Sequence, residues 1–181
     1  MAEIEHKHIA LFAADRVNLP SAKAKEHRDQ VNRLRQRLEA KIDADPEYGL
    51  VKLLHAGSVA KGTALKTVDD LDTAVYIRAA QAPNDDGSLV VWLADRLFEA
   101  APGNMERDQF EEQDHCVTVN YRGTGLKVDV VPVLYEGEPD DLGYLVNRTT
   151  GDRLLTSIRL HLRFTAGPVC SAASSLDDMA L

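Results

Sequence analysis

The chain has 181 residues, 44% hydrophobic and 28% charged, an ordinary globular balance at a length that fits one domain with room for a short appendage. A chain of this size buries about 70% of its unfolded surface and needs no staples to build a core, and two cysteines, Cys116 and Cys170, make no disulfide framework. The net charge of −8 disfavours non-specific duplex binding by the whole surface, no signal peptide or membrane span is legible, and the cytoplasm is the expected compartment.

Residues 8–19 carry a short apolar helix pattern closed by Asn18-Leu19-Pro20. Ser21 is placed to cap a second helix running to about Ile42, with Ala24, Val31, Leu34, Leu38 and Ile42 near helical spacing. Its other faces are basic, because Lys23, Lys25, Arg28, Arg33, Arg35, Arg37 and Lys41 outnumber Glu26, Asp29 and Glu39. A basic solvated face is the commoner meaning of such a run. Residues 23–41 are nonetheless where a nucleic acid would bind if one did, although no aromatic residue interleaves with the basic ones for base stacking.

Val51 to His55 reads as a short buried strand, followed by Gly57-Ser58 and a loop holding Lys61, Gly62 and Thr63. A second strand over about 70–78 alternates, with Leu71, Thr73, Val75 and Ile77 on one face and Asp70, Asp72, Ala74 and Tyr76 on the other. Ser88 is placed to cap a helix of about 89–100, with Leu89, Leu93, Leu97 and Trp92 inward and Pro102-Gly103 as its stop. Strands are expected over 115–121 and 125–134, joined by the hairpin signal Gly123-Thr124-Gly125. A further hairpin spans Gly143 to Leu155, and Thr156-Ser157 caps a last helix that begins at Ile158. From 164 to 181 the only charges are Asp177 and Asp178 and no period survives. The expected division is therefore a folded unit over 1–163 and an unpatterned tail over 164–181.

Three features carry chemistry, and they come in order. A strand leads into Gly57-Ser58; Asp70-Leu71-Asp72 follows on a second strand; Asp129 stands in an apolar strand, Lys127-Val128-Asp129-Val130-Val131-Pro132. Glycine lets a phosphate approach the backbone closely, and a serine hydroxyl with nearby N–H groups binds its oxygens. Asp70 and Asp72, two apart on a strand, project from one face, and Asp129 projects away from the apolar side formed by Leu126, Val128 and Val130. Converging carboxylates repel unless a divalent cation neutralises them, and hard oxygen ligands favour magnesium or manganese. Lys61 either reaches a phosphate or is a solvated loop lysine; Lys127, on the Asp129 face, touches phosphate or pairs with a carboxylate. His55 is expected to be a satisfied core histidine and Cys116 a buried core thiol.

The run Leu54-His55-Ala56-Gly57-Ser58-Val59-Ala60-Lys61-Gly62-Thr63, then Asp70-Leu71-Asp72, then Val128-Asp129-Val130-Val131-Pro132, resembles the polymerase-beta-type nucleotidyltransferase superfamily, over about residues 8–163. Within it the Gly-Ser-x-x-Lys-Gly-Thr loop and the Asp-Val-Val-Pro strand resemble the oligoadenylate-synthase branch, and most of all the bacterial cGAS/DncV-like cyclic-oligonucleotide synthases of antiphage signalling. The resemblance implies an α/β fold with a mixed, mostly antiparallel sheet packed by helices on one face and the carboxylates on the exposed face. It implies nucleoside triphosphates as substrates and two magnesium or manganese ions. Gly57 and Ser58 would hold the donor triphosphate, Asp70 and Asp72 both metals, and Asp129 the metal beside the attacking ribose hydroxyl, with a protein regulator as a further partner. Members of that branch continue into a helical C-terminal lobe, which is expected to be largely absent here, as in a truncated chain. Two rival readings remain open: a minimal antitoxin-type nucleotidyltransferase that modifies a protein, and a nucleotide-binding remnant without turnover.

Overall fold

The computed structural model describes residues 6–12, 20–57, 70–137 and 140–165. Among them, helices α1 (His6–Phe12), α2 (Ser21–Ala44), α3 (Leu89–Ala100) and α4 (Ile158–Thr165) accompany seven strands: β1 (Leu50–His55), β2 (Asp70–Arg78), β3 (Phe110–Glu112), β4 (Val117–Tyr121), β5 (Leu126–Gly137), β6 (Leu142–Val146) and β7 (Arg153–Thr156). The strands form one sheet in the order β1-β2-β5-β4-β3, with β6 beside β5 and β7 beside β6. Every pairing is antiparallel except that of β2 with β5, which run parallel from Asp70↔Lys127 to Arg78↔Tyr135. The expected mixed, mostly antiparallel sheet is therefore present. The long β5 serves two partners on one edge: residues 126–130 pair with β4, residues 133–137 with β6. Pro132, which has no N–H for a ladder, stands between the two segments.

One face of the sheet carries the main core. Val31, Leu34 and Leu38 of α2 and Leu89, Leu93 and Leu97 of α3 pack on Leu71, Val75 and Ile77 of β2, Val128 and Val130 of β5, and Val117 and Val119 of β4. Each fully buried aliphatic side chain of this kind contributes about 1.5–3 kcal/mol. The basic residues of α2 all lie on its exposed side, as the spacing predicts.

The opposite face departs from expectation, because it is exposed only in part. Ala74, Tyr76 and Val133 form a second small core there, with Leu54, Leu145 and Ile158 against it. The Tyr76 hydroxyl donates to the Asp141 carbonyl at 3.0 Å and accepts from the Ile158 N–H at 3.3 Å. Lys52 pairs with the Asp141 carboxylate and lies over the rings of Tyr76 and Tyr135, 5.5 and 5.0 Å from their centroids. Ser157 caps α4 as expected, its hydroxyl accepting from the Leu160 N–H at 3.0 Å.

Element boundaries differ from the sequence reading in identifiable ways. The first helix ends at Phe12 among the described residues, and 13–19 lie outside them. Pro20, not Ser21, occupies the N-cap of α2 and supplies no side-chain bond. The Ser88 hydroxyl does not cap α3 but donates to Asp85 Oδ2 at 2.8 Å. His115 and Cys116 precede β4 rather than beginning it, and the three-residue β3, too short to show a period, had no sequence signal. No helix among the described residues is long and apolar enough to cross a membrane.

Candidate active site

β2 and β5 build the site. Their parallel register sets Asp72 directly beside Asp129, and in-register neighbours in a parallel pair project from the same face at a strand spacing of about 4.8 Å. The antiparallel register on the other side of β5 sets Thr118 of β4 opposite Asp129. Asp72, Asp129 and Thr118 thus form one row across three strands, on the face away from α2 and α3. The next row holds Asp70, Lys127 and Asn120. The Asp70 backbone opens β2; its side chain lies outside the described set.

The row is graded in exposure. Asp72 is exposed, Asp129 is half-buried, and Thr118 is only 8% exposed. The Thr118 hydroxyl donates to Asp129 Oδ1 at 2.6 Å, a short charge-assisted bond that fixes one carboxylate oxygen.

Gly57 comes over this row from β1. The Ala56 N–H donates to the Asp72 carbonyl at 2.9 Å, which extends the β1–β2 pairing by one step and delivers Gly57 onto Asp72. Gly57 has φ +63°, and a Cβ built there would lie 1.8 Å from Asp72 Oδ2. Two independent constraints, backbone conformation and space, thus require glycine at this position. Ser58 and Lys61 lie outside the described residues, as does Asp69.

Cys116 corrects an expectation. It is not a buried core thiol but half-exposed, two residues before Thr118 on the carboxylate side. Burial pushes its thiol up to about 11, with the charges of Asp129 and then Asp72 adding to the rise. His55 is not a core residue either: half-buried on the helix side, it meets Asn32 Oδ1 at 3.0 Å through Nε2. Burial holds its pKa below 6.5, with Arg35 and Arg28 adding to the effect. Thr118 was missed in the sequence, where the alternation Val117-Thr118-Val119 was its only trace.

The donor set suits a hard divalent cation. Two carboxylates stand side by side, one held in place from behind, and their combined negative field reaches Cys116. Among the described residues no group of three His, Cys, Asp or Glu side chains converges as a metal site. Asp70 is the residue whose side chain would add a third carboxylate.

Comparison with known proteins bears on this geometry. The model of the Second Messenger Oligonucleotide or Dinucleotide Synthetase domain matches residues 5–156. The chain is 48% identical over 161 residues to a cyclic AMP-AMP-AMP synthase of Escherichia coli strain MS 115-1, covering 89% of this chain and 50% of that protein. It is 29% identical over 161 residues to a CBASS oligonucleotide cyclase, CdnC, of E. coli strain KTE188, covering 86% of this chain and 51% of the relative. The chain thus spans about half the length of the curated relatives it matches. The solved structure of E. coli MS115-1 CdnC with ATP superposes with a TM-score of 0.81 at 48% identity over 90% of this chain and 51% of that one, and the same protein has been solved in a complex with HORMA-deltaN. The shared architecture is the polymerase-beta-type nucleotidyltransferase fold.

Proposed function

The chain belongs to the Second Messenger Oligonucleotide or Dinucleotide Synthetase family, and from that membership we propose that it carries the catalytic half of a metal-dependent nucleotidyltransferase that makes an oligonucleotide second messenger in antiphage defence. The reaction is attack by a ribose hydroxyl on the α-phosphate of a nucleoside triphosphate. An O–P bond to the acceptor forms, the bond to the β-phosphate oxygen breaks, pyrophosphate leaves, and the hydroxyl proton passes to solvent. The observation that carries this reading is the in-register pairing of Asp72 with Asp129 beneath Gly57. The relatives' names support the product class.

Asp70, Asp72 and Asp129 would hold two magnesium or manganese ions, which supply hydroxyl activation and charge neutralisation of the leaving pyrophosphate. The chain's own groups do the positioning. Thr118 keeps Oδ1 of Asp129 engaged, so that Oδ2 is the oxygen left to face the reacting atoms. Gly57 leaves backbone N–H groups close to the triphosphate, with Ser58 adding its hydroxyl. Lys61 is assigned to the triphosphate as well. A protein regulator of the HORMA kind is the partner this reading favours, on the strength of the complex solved for the similar CdnC. Nucleic acid has less support, given the net charge of −8.

The test incubates the purified chain with labelled ATP, GTP, CTP and UTP and magnesium or manganese, followed by chromatography with and without phosphatase. A phosphatase-resistant product that disappears in Asp72→Asn and in Asp129→Asn is the expected result. Product formation that survives both substitutions rejects the assignment. Radiolabel transferred to a protein in place of nucleotide product supports the antitoxin-type reading.

A further inference from the structure

The carboxylate face offers four directions outward from Asp129, and each has its own chemistry. Toward β2 stands Asp72, beneath Gly57. Toward β4 and β3 stands Thr118, whose hydroxyl is already given to Asp129. Beyond it the register sets Glu111 of β3 opposite Thr118, two strand spacings or about 9.5 Å from Asp129. Toward the far end of β5 the face is apolar, with Val131 and then Val133. Toward the start of β5 stands Lys127, one row or about 6.6 Å along the strand, with Asn120 of β4 opposite.

Lys127 is the one described cation in these two rows, and it is exposed. Among the described residues no ion pair engages it. Lys52, two rows away in the other direction, is differently placed, held by Asp141 and by the rings of Tyr76 and Tyr135. A lysine ammonium is a compact charge on a flexible four-carbon stem, suited to phosphate oxygens that approach from several angles. An anionic group beside Asp129 is repelled toward Asp72 and toward Glu111, and finds no polar partner over Val131. The charge pattern leaves it the Lys127 direction alone.

We propose that Lys127 binds the 5′-phosphate of the acceptor nucleotide and so selects a phosphorylated nucleotide as the acceptor. This rests on the reaction proposed above and names the class of its second substrate. With the attacking ribose hydroxyl at Asp129, the 5′-phosphate lies along β5 toward Lys127 and the base lies the other way, over Val131. Donor and acceptor phosphates are thereby kept apart, the donor's at Gly57 on the β1 side and the acceptor's at the start of β5. Neither a free nucleoside nor a protein hydroxyl supplies the group that Lys127 takes.

The experiment titrates the whole chain, in EDTA, with adenosine 5′-monophosphate and with adenosine, and repeats the pair with the guanosine compounds. Binding is followed through the NMR signals of β4 and β5. Without a divalent cation the carboxylates repel phosphate, so a preference for the phosphorylated compound reports Lys127. The monophosphate is expected to bind at least about tenfold more tightly than its nucleoside, to lose that advantage in Lys127→Gln and to regain it in Lys127→Arg. Lys127 is exposed, so folding is not at stake. A wild-type chain that prefers the monophosphate for neither base overturns the proposal, as does a preference unchanged in Lys127→Gln. Manganese binding that tightens in Lys127→Gln with no change in phosphate preference also overturns it, and makes the lysine a partner of the carboxylates. Nucleotide product in the labelling experiment alongside any of these results leaves the reaction standing and removes only the role of Lys127.

Discussion

At the scale of single residues, the site depends on a threonine that has no chemistry of its own. Asp129 has two oxygens, and Thr118 occupies one of them at 2.6 Å. A hydrogen bond to a charged group is worth about 1.5–3 kcal/mol. Thr118→Val keeps the shape and removes the donor, so Asp129 gains rotamer freedom at the point where a cation needs it fixed. The expected outcome is that manganese affinity, read by electron paramagnetic resonance, falls about tenfold in Thr118→Val and returns in Thr118→Ser. Turnover should follow affinity, with thermal stability nearly unchanged because the half-exposed carboxylate rehydrates. Equal manganese affinity in wild type and Thr118→Val would show that the bond is only structural. Gly57 sets the complementary limit: any side chain there meets Asp72, so the loop and the carboxylate must be considered together.

At the scale of elements, the seam between α2 and β1 carries a pH dependence. His55 on β1 bonds Asn32 on α2, and a protonated ring would be partly desolvated and would face Arg35 and Arg28. Its folded pKa lies below the ordinary 6.5. The unfolded chain therefore binds the proton more readily, and stability is fully present above 6.5 and falls as pH drops from there toward the folded value. Urea midpoints measured across that window should decline in the wild type and flatten in His55→Gln. A slope that persists in His55→Gln assigns the effect elsewhere. The elements themselves were legible where a period was long enough to read: the stripe of α2, the alternation of β2, and the carboxylate placement that follows from it. The convergence of the carboxylates was expected from the order of the motifs and the resemblance, not from any local pattern. Asp72 and Asp129 are far apart in sequence, and only the parallel pairing of β2 with β5, a non-local choice, puts them side by side. For the same reason Cys116 read as core: it neighbours the carboxylates only once β4 is set against β5. Tyr76 was placed on the correct face, but its burial depends on α4 and the turn at Asp141, which local pattern does not reveal.

At the scale of the whole molecule, the sheet has edges, and they are managed unequally. β3 is short and flanked by charge, with Arg107 bonded to Glu112 at 2.9 Å and to Asp95 at 3.0 Å. β7 carries one charge, Arg153, and is otherwise apolar apart from Thr156. Among the described residues it pairs only with β6, and its Leu154 and Leu155 are 66% and 55% exposed. Beside it, Leu154, Leu145 and Val131 line an apolar groove of about 580 Å³ that reaches His115 near the carboxylate row. An exposed apolar edge strand is a template for pairing with another chain. Residues 6–165 are therefore expected to self-associate through β7. Sedimentation velocity over a range of concentrations should show a rising weight-average coefficient for the wild type. In Leu154→Lys/Leu155→Lys the coefficient should stay at the monomer value with the thermal midpoint retained, because neither side chain contributes to a core. Association unchanged in that variant would move the sticky surface to α4, where Phe164 is 86% exposed.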